Sequence, residues 1–424
     1  MTTSTTSAPV RPAPQDMPAA ARRVLSLLQR LQHGTLHVQW PDGSVAQYGA
    51  TPASGPALNA TLHLHSYAPL TQALKSGDIG FAESYIAGEW TTNNLSELLQ
   101  LLVANRRDMD ELIFGSWLGR LFYRVRHLLH RNTRSNSKKN IHAHYDLGNA
   151  FYELWLDPTM NYSSAWFDND RAKPMAEAQT AKVRRALRMV DAKAGDRILE
   201  IGCGWGGVME EALRSDIAIT GLTLSTEQKA FADMRLNNIQ ASNGNAPAFE
   251  VRLQDYRDCQ EQFDGIVSVE MFEAVGEKHW PEYFQTIAQR LKAGRKACIQ
   301  TIVIAEELFD RYRTNTDFIQ QYVFPGGMLP SRTSFRASAA QAGLKVEAEF
   351  AFGADYAKTL CIWRDSFNQK LQEVRQLGFD EAFIRLWNFY LMYCSAGFSE
   401  RNIDVVQFTL SHEAPTPSVD ALSA

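Results

Sequence analysis

The sequence predicts an α/β protein whose main part is a doubly wound, mainly parallel sheet of seven strands, with a smaller N-terminal α+β domain. From about residue 140, short apolar runs alternate with helix-like segments, which is typical of parallel strands joined by crossover helices. A chain of 424 residues also exceeds the usual size of one domain. The composition, 45% hydrophobic and 21% charged, excludes a mostly disordered or coiled-coil protein.

Residues 1–20 are rich in Ser, Thr, Pro and Ala and predict a disordered tail. Residues 21–112 predict the small α+β domain, because an apolar stripe at helical spacing is followed by short alternating runs around a Pro-Asp-Gly turn. This domain shows no polar cluster suited to chemistry, so we expect it to be accessory. Its expected helices cover residues 20–32, 68–75, 81–87 and 95–104.

A basic segment at residues 113–140 joins the two domains. Between residues 118 and 139 it has no acidic side chain, and its cations are Arg120, Arg124, Arg126, Arg131, Arg134, Lys138 and Lys139. Three interpretations are open: a solvated linker, contact with anionic lipid headgroups, and contact with nucleic acid. Because the net charge of −4 provides no global field for nucleic acid, we expect peripheral contact with an anionic membrane surface and no nucleic acid. No apolar run approaches the length that spans a bilayer.

The five cysteines are scattered, without a C-x-x-C pair. That pattern argues against a disulfide framework and a zinc site, and it favours a reducing cytoplasm. His63 and His65 share one face of a predicted strand, but no third ligand accompanies them, so we expect no metal site. Cys203 lies between two glycines without a neighbouring His, and we interpret it as a small packed side chain rather than a nucleophile.

Residues 141–412 contain the expected sheet, and residues 413–424 form a short tail. The seven strands are expected at residues 197–201, 217–222, 249–253, 265–270, 297–304, 345–352 and 404–410. Helices are expected at residues 175–190, 208–214, 226–236 and 280–291, with a long helical region at 356–399. Ligands of such a sheet bind at the carboxyl ends of the strands, which directs attention to the loop after the first strand.

That loop is rich in glycine and satisfies G-x-G-x-x-G at Gly202, Gly204 and Gly207. The pattern alone is weak, since it indicates only that a ligand approaches the backbone closely. A dinucleotide fold needs an acidic residue about 20 residues further on, and residues 220–225 contain none. Instead Glu200 stands just before the glycines, so that the run resembles motif I of class I S-adenosylmethionine-dependent methyltransferases. We favour that interpretation over NAD binding.

Further motifs resemble the cyclopropane-fatty-acyl-phospholipid synthase family. They occur in the family's order over about residues 140–412 and read HYDLGNAFY (144–152), MNYSSA (160–165), GLTLSTEQ (221–228), LQDYRD (253–258), MFEAVG (271–276) and FPGGMLP (324–330). Residues 20–110 look like the smaller N-terminal domain of the longer members, which is thought to engage lipid.

The resemblance implies transfer of a methyl group from S-adenosylmethionine to the cis double bond of an unsaturated acyl chain in a phospholipid. A carbocation and proton abstraction then give a cyclopropane. We accordingly expect a cytoplasmic enzyme that is peripheral at the inner face of the membrane, and a homodimer is left open. Matching positions imply these cofactor contacts: Tyr162 and Ser163 at the methionine end, Gly202 and Gly204 beneath it, Thr223 and Gln228 at the ribose, and Asp255 and Tyr256 at the adenine.

The family's base is a bound bicarbonate, and the resemblance implies that Glu273, Tyr390 and the backbone N–H of Ile302 would hold it here. Because a carboxylate repels an anion, either Glu273 or the bicarbonate must carry a shared proton. The chain departs from the family pattern at three positions. Ser164 replaces a Cys whose backbone N–H contact it could keep, Gln300 replaces a His, and Ala274 replaces another His. Neither Ser164 nor Gln300 is a base near neutral pH.

Methyl transfer is therefore better supported by the sequence than ring closure. Loss of a neighbouring proton would instead give a methylene- or methyl-branched chain. Two further alternatives are a methyltransferase for a small soluble metabolite and a non-catalytic lipid-binding protein that keeps the fold. The intact glycine loop and Glu273 argue against the last of these.

Overall fold

A computed structural model of the protein describes residues 17–50, 58–106, 147–242 and 247–412. The predicted basic segment 113–140, the C-terminal tail 413–424 and residues 1–16 of the predicted N-terminal tail lie outside these residues. In the part of the chain that is described, no helix combines the length and the apolar character that crossing a bilayer requires.

The described helices and strands follow one another in this chain order: α1 (Ala19–Leu28), β1 (Gly34–Gln39), β2 (Val45–Ala50), β3 (Asn59–Leu64), α2 (Ala68–Ile86), β4 (Trp90–Thr91), α3 (Leu95–Ala104), α4 (Asn149–Glu153), α5 (Met175–Met189), β5 (Arg197–Ile201), α6 (Gly207–Arg214), β6 (Ala218–Thr223), α7 (Thr226–Ser242), β7 (Phe249–Leu253), β8 (Phe263–Val269), α8 (Trp280–Arg290), β9 (Leu291–Ile304), α9 (Glu306–Thr314), α10 (Phe318–Tyr322), α11 (Arg332–Gln341), β10 (Leu344–Ala351), α12 (Gly353–Gln369), α13 (Leu371–Gln376), α14 (Glu381–Ser399) and β11 (Ile403–His412).

These elements form two compact units, each discontinuous in sequence. The first unit groups the described residues up to 106 with residues 315–323 and 360–400, and the second contains the other described residues. The sequence-based boundaries, 21–112 and 141–412, follow the chain in order and stay a prediction.

The first unit contains a four-stranded sheet in the order β2–β1–β3–β4. Strand β1 pairs antiparallel with β2 and parallel with β3, so this part is the α+β region that the sequence predicts. Two helices were expected at residues 68–75 and 81–87, but the structure has one helical span, α2, interrupted at Gly77 (φ 64°, ψ −140°). Glycine tolerates this backbone conformation, which other residues avoid, and the helix resumes after it.

The second unit contains the predicted seven-stranded sheet, in the order β10–β11–β9–β8–β5–β6–β7. Only β11 runs antiparallel to its two neighbours among these described strands, and the pairs from β9 to β7 are parallel. The chain moves outward from β5 through β6 to β7 and then returns to β8 on the other side of β5. This reversal creates a switch point between β5 and β8, where open α/β sheets bind ligands.

Both faces of the sheet are buried, as β5 illustrates. Ile198 belongs to the apolar cluster on one face, with Val183 of α5 and Met209 of α6. Leu199, the next residue, belongs to the cluster on the other face, with Phe284 of α8. Successive strand side chains point to opposite faces, so a continuous apolar run indicates a strand covered on both sides.

The helices after β9 agree least with the sequence prediction. The expected helical region at 356–399 is three helices, α12, α13 and α14. The last break contains Gly378 (φ 95°), and α14 then begins after Asp380, whose side chain accepts a hydrogen bond from the Phe383 N–H at 2.8 Å. Helices α9, α10 and α11 were not anticipated.

Candidate active site

A cavity in the second unit lies at the switch point, at the carboxyl ends of β5, β6 and β8. Gly202 (φ 84°) and Gly204 (φ 50°) line it with left-handed backbone conformations that favour glycine. A Cβ atom on Gly202 would lie 2.8 Å from Cγ of Met271. A side chain there would therefore strain the backbone and crowd the loop that follows β8.

The eight residues predicted to bind the cofactor all line this one cavity. They are Tyr162, Ser163, Gly202, Gly204, Thr223, Gln228, Asp255 and Tyr256. They come from four separate stretches of the chain, so it is the fold, and not local sequence, that brings them together. Their individual contacts with the cofactor stay a prediction.

Several of these side chains are held in place by neighbours in the same unit. The hydroxyl of Thr223 donates to Oε1 of Gln228 at 2.9 Å. The Asp255 carboxylate accepts from the backbone N–H of Arg257 at 3.0 Å and from its Nε at 2.8 Å. The Tyr162 ring lies 5.3 Å from the Tyr152 ring, centroid to centroid. The cavity wall is thus preorganised rather than assembled from unrestrained side chains.

A buried carboxylate, Glu200, faces the cavity from the end of β5. It is 2% exposed, and its Oε2 has no hydrogen-bond partner among the described residues. Burial raises the pKa of Glu200 to about 8, while the nearby Lys182 cation opposes that rise. The ammonium group of S-adenosylmethionine is a cationic donor that could bond this oxygen, and its charge, with that of the sulfonium group, would favour the ionised form of Glu200. The residues at this end of the cavity therefore fit the predicted cofactor.

Lys182 of α5 is fully buried next to the same cavity wall. Its Nζ donates to Oγ of Ser163 at 2.5 Å. Burial lowers the pKa of Lys182 to about 8, and the charges of Glu270, Asp157 and Glu200 oppose that shift. The positive charge of Lys182 therefore interacts with all three of these carboxylates.

A second carboxylate, Glu270, lines the cavity directly after β8. Its Oε1 accepts from the backbone N–H of Ser164 at 2.9 Å and from Nε2 of Gln300 at 2.7 Å, and its Oε2 accepts from the Tyr356 hydroxyl at 2.6 Å. Burial raises the pKa of Glu270 above its usual value, and Lys182 and these three donors oppose the rise. Gln407 orients the amide of Gln300, because its Nε2 donates to Gln300 Oε1 at 3.0 Å.

Glu273 lies one turn further along the chain. Its Oε1 accepts from the Ile302 N–H at 2.5 Å, and its Oε2 has no partner among the described residues. Burial raises the pKa of Glu273 to about 8, and the charge of Glu270 adds to the rise. Since Lys182 and three donors stabilise the ionised form of Glu270, we assign the proton of this pair to Glu273 at neutral pH.

The sequence predicted five catalytic residues, and the structure places them as follows: Glu273, Ser164, Gln300 and Ile302 take part in the hydrogen bonds just described, and Tyr390 does not. Ser164 and Gln300 both contact Glu270, and Ile302 contacts Glu273. Tyr390 belongs to α14 of the first unit, where it is buried with its ring 5.2 Å from that of Trp387. The donors assigned to bicarbonate in the second unit thus bind protein carboxylates, and that set does not fit a bicarbonate ion.

The sequence reasoning did not identify Lys182, Glu270, Tyr356 or Gln407. The sequence contains a local indication for two of these residues, Lys182 and Glu270. Lys182 shares the buried face of α5 with Ala178 and Ala186, where a cation is out of place. Glu270 ends an apolar strand with a carboxylate, at the edge where ligands bind. Tyr356 and Gln407 are brought in by tertiary contacts alone.

A doubly wound seven-stranded sheet with a glycine loop, a buried acid before it and a cavity at the switch point defines an S-adenosylmethionine-dependent methyltransferase. The comparison with known families agrees: residues 132–408 match the family described as mycolic acid cyclopropane synthetase. The chain belongs to this family, and it is an enzyme that uses S-adenosylmethionine.

Curated relatives and solved structures resemble much of the chain. The tuberculostearic acid methyltransferase UfaA1 of Mycobacterium tuberculosis is 36% identical over 419 residues, which cover 96% of this chain and 95% of the relative. The cyclopropane-fatty-acyl-phospholipid synthase of Escherichia coli K12 is 32% identical over 80% of this chain and 85% of its own. The structure of the cyclopropane synthase MmaA2 from M. tuberculosis matches with a TM-score of 0.60 and 29% identity, over 64% of this chain and 97% of that one. The mycolic acid cyclopropane synthase CmaA1, solved with SAH and CTAB, has a TM-score of 0.59 and 32% identity over the same shares.

Proposed function

We propose that the enzyme transfers the methyl group of S-adenosylmethionine to the cis double bond of an unsaturated fatty acyl chain of a phospholipid. The proposal is supported by the motifs shared with the cyclopropane-fatty-acyl-phospholipid synthase family. It is also supported by the names of two relatives, a tuberculostearic acid methyltransferase and a cyclopropane-fatty-acyl-phospholipid synthase.

The observation that carries the proposal is the carboxyl pair Glu270 and Glu273 beside the cofactor cavity. Methylation of an alkene leaves a carbocation, so a base must remove a proton before product forms. Methylation of an amine needs no such carbon base, because the nitrogen proton is acidic once the methyl group is attached. Two partly buried acids, one held ionised and one protonated, suit the alkene reaction.

S-adenosylmethionine supplies an electrophilic methyl group on a sulfonium centre. Glu200, whose Oε2 is unpartnered among the described residues, would hold the cationic end of the cofactor, and the preorganised walls at Tyr162 and Asp255 would orient it. Met271 and Val275 contribute apolar surface to the cavity. Apolar walls limit water, which would otherwise trap the carbocation.

The product depends on whether a hydride shifts along the acyl chain before the transferred methyl group loses its proton. We propose a cyclopropane as the product, and the alternative is a methylene- or methyl-branched chain. Ser164 and Gln300 stand where the family has Cys and His, and both donate to Glu270. The Glu270 carboxylate can accept the proton on the route to either product. NMR of lipid from expressing cells separates the two products, because only the cyclopropane gives strongly upfield ring protons.

The test of the proposed function is release of S-adenosylhomocysteine by the purified full chain on phospholipid vesicles. We expect turnover with a cis-unsaturated phospholipid and none with its saturated counterpart of equal chain length. Turnover with a small soluble amine, and none with either vesicle, would contradict the proposal.

We also propose that the enzyme works from the cytoplasmic side as a peripheral protein on an anionic membrane surface. The support is the cluster of cations within residues 113–140, a segment outside the described residues. Each cation near such a surface contributes about 1 kcal/mol of attraction.

A further inference from the structure

The carboxylate of Glu270 accepts from two of the donors that the resemblance would assign to a bicarbonate. Two donors assigned to the bicarbonate, the Ser164 N–H and the Gln300 side chain, both donate to Glu270 Oε1. A third, the Ile302 N–H, donates to Glu273. An N–H that already donates to a carboxylate is engaged, so a separate bicarbonate would have to displace a bonded protein anion.

Glu270 adopts a backbone conformation that a glutamate ordinarily avoids. Its φ of 50° lies in the left-handed region, directly after β8. Such strain is stored mainly at functional sites, where surrounding contacts compensate for it. Here the backbone N–H of Glu270 is fixed by the carbonyl oxygen of Gln300 at 2.8 Å. The chain therefore maintains an unfavourable conformation that aims this carboxylate at the donors and the cavity.

The surroundings also keep Glu270 able to accept a proton. Lys182 provides a buried positive charge, and Tyr356 donates to Oε2. Glu273 carries the proton of the pair, which removes like-charge repulsion. Gln300 cannot itself exchange a proton near neutral pH, but Gln407 orients its amide so that it positions Glu270.

We propose that Glu270 is the resident base of the reaction and replaces bicarbonate, so that the enzyme turns over without any added anion. This inference rests on the proposed function. The π pair of the alkene forms the new carbon–carbon bond, the S–CH3 bonding pair stays on sulfur, and a carbocation results. Glu270 takes a proton from the transferred methyl group. The released C–H pair closes the third ring bond, or, after a hydride shift on the chain, forms an exocyclic C=C bond.

The first measurement compares turnover on unsaturated phospholipid vesicles in carbonate-free buffer and with added bicarbonate. We expect the wild-type rates to agree within about twofold. Glu270→Gln, which keeps the size but cannot accept a proton, should lose at least about 100-fold in turnover. Its affinity for S-adenosylhomocysteine, measured by calorimetry, should change little. Glu177→Gln, an exposed position on α5, is the matched control and should behave as wild type.

The second measurement is chemical rescue. Glu270→Gly removes both the carboxylate and the backbone strain, so this variant should fold. Added formate or bicarbonate should restore part of its turnover in a saturable way, and the acidic limb of its pH–rate profile should follow the pKa of the added acid. A merely structural role for Glu270 would produce neither effect.

The outcomes separate the two proposals. Wild-type turnover that requires bicarbonate, or near-normal turnover of Glu270→Gln, would overturn the role of Glu270 alone. A wild-type enzyme that binds S-adenosylhomocysteine but methylates no unsaturated lipid would overturn the proposed function, and this inference with it.

Discussion

Glu270 and Glu273 are close in sequence but differ in their hydrogen-bond donors, and that difference sets their protonation. Burial and the charge of Glu270 raise the pKa of Glu273 to about 8. Glu273→Gln should therefore imitate the neutral form and keep turnover at neutral pH within about tenfold of wild type. In the wild type, turnover should fall as the pH rises past about 8, because Glu273 then becomes a second anion. Lys182 and Glu200 also have a pKa of about 8, so the variant should keep their part of this alkaline limb and show a shallower fall, as a pH–rate profile would reveal. Loss of activity at every pH would mean that Glu273 acts in its ionised form.

Gly202 offers a second prediction at the scale of single residues. Gly202→Ala should weaken the affinity for S-adenosylmethionine at least about tenfold, because the new Cβ crowds Met271 and the φ of 84° becomes strained. The control is Gly343→Ala, where φ is 75° and a Cβ would meet no atom within 4 Å. That variant should lose stability but keep its affinity in calorimetry. Equal affinity losses in both variants would attribute the effect to general destabilisation.

The residues that lie in motifs were predictable, and those placed by tertiary contacts were not. Short motifs identified all eight residues predicted to bind the cofactor, which the fold then brings into one cavity. Tyr356, which donates to Glu270, and Gln407, which orients Gln300, were missed because both lie far from residue 270 in the sequence. No local pattern connects residues across such distances.

At the scale of elements, α10 is held at its start by two acids of the first unit. Asp317 caps the helix by accepting from the Gln320 N–H at 2.9 Å. Asp78, which follows the break in α2, accepts from the Phe318 N–H at 3.1 Å and from the Tyr393 hydroxyl at 2.7 Å. Burial raises the pKa of both carboxyls, and the two charges repel each other.

A carboxyl whose pKa is raised by folding stabilises the folded state at low pH, and that contribution is lost as the pH rises through the folded-state pKa. Burial raises the pKa of Asp78 to about 7, so this pair should lower the free energy of unfolding between about pH 4 and about pH 7, by on the order of 4 kcal/mol for Asp78 alone. Asp78→Asn should flatten this slope in thermal denaturation, whatever it does to the absolute melting temperature. Asp380→Asn alters an exposed helix cap and is the control, with an unchanged slope expected. A slope that is equally steep in Asp78→Asn would contradict this account.

The sheet was predictable at this scale and several helices were not. Strands such as β5, where the successive residues Ile198 and Leu199 are both apolar and buried, fit a parallel sheet that is covered on both faces. Helices α9, α10 and α11 lie in a stretch whose composition does not separate them from loops. Their boundaries depend on caps such as Ser331, which accepts from the Ser334 N–H at 3.2 Å.

At the scale of the whole molecule, the net charge of −4 conceals the cationic segment at residues 113–140. We expect the double variant Arg124→Gln, Arg131→Gln to bind anionic vesicles about tenfold more weakly or worse in flotation assays. The control, Arg30→Gln with Arg188→Gln, removes the same charge at exposed positions elsewhere and should bind as wild type. Equal loss in both variants would assign the attraction to overall charge, and not to this segment.

The central claim is methyl transfer to an acyl double bond, followed by loss of one proton. The most direct measurement is mass spectrometry of unsaturated phospholipid after reaction with S-adenosylmethionine whose methyl group is fully deuterated. The account predicts that the label enters the acyl chain, that the original double bond is consumed, and that two of the three deuterium atoms remain. Label found in the headgroup or in a soluble acceptor, with the acyl chain unchanged, would contradict it.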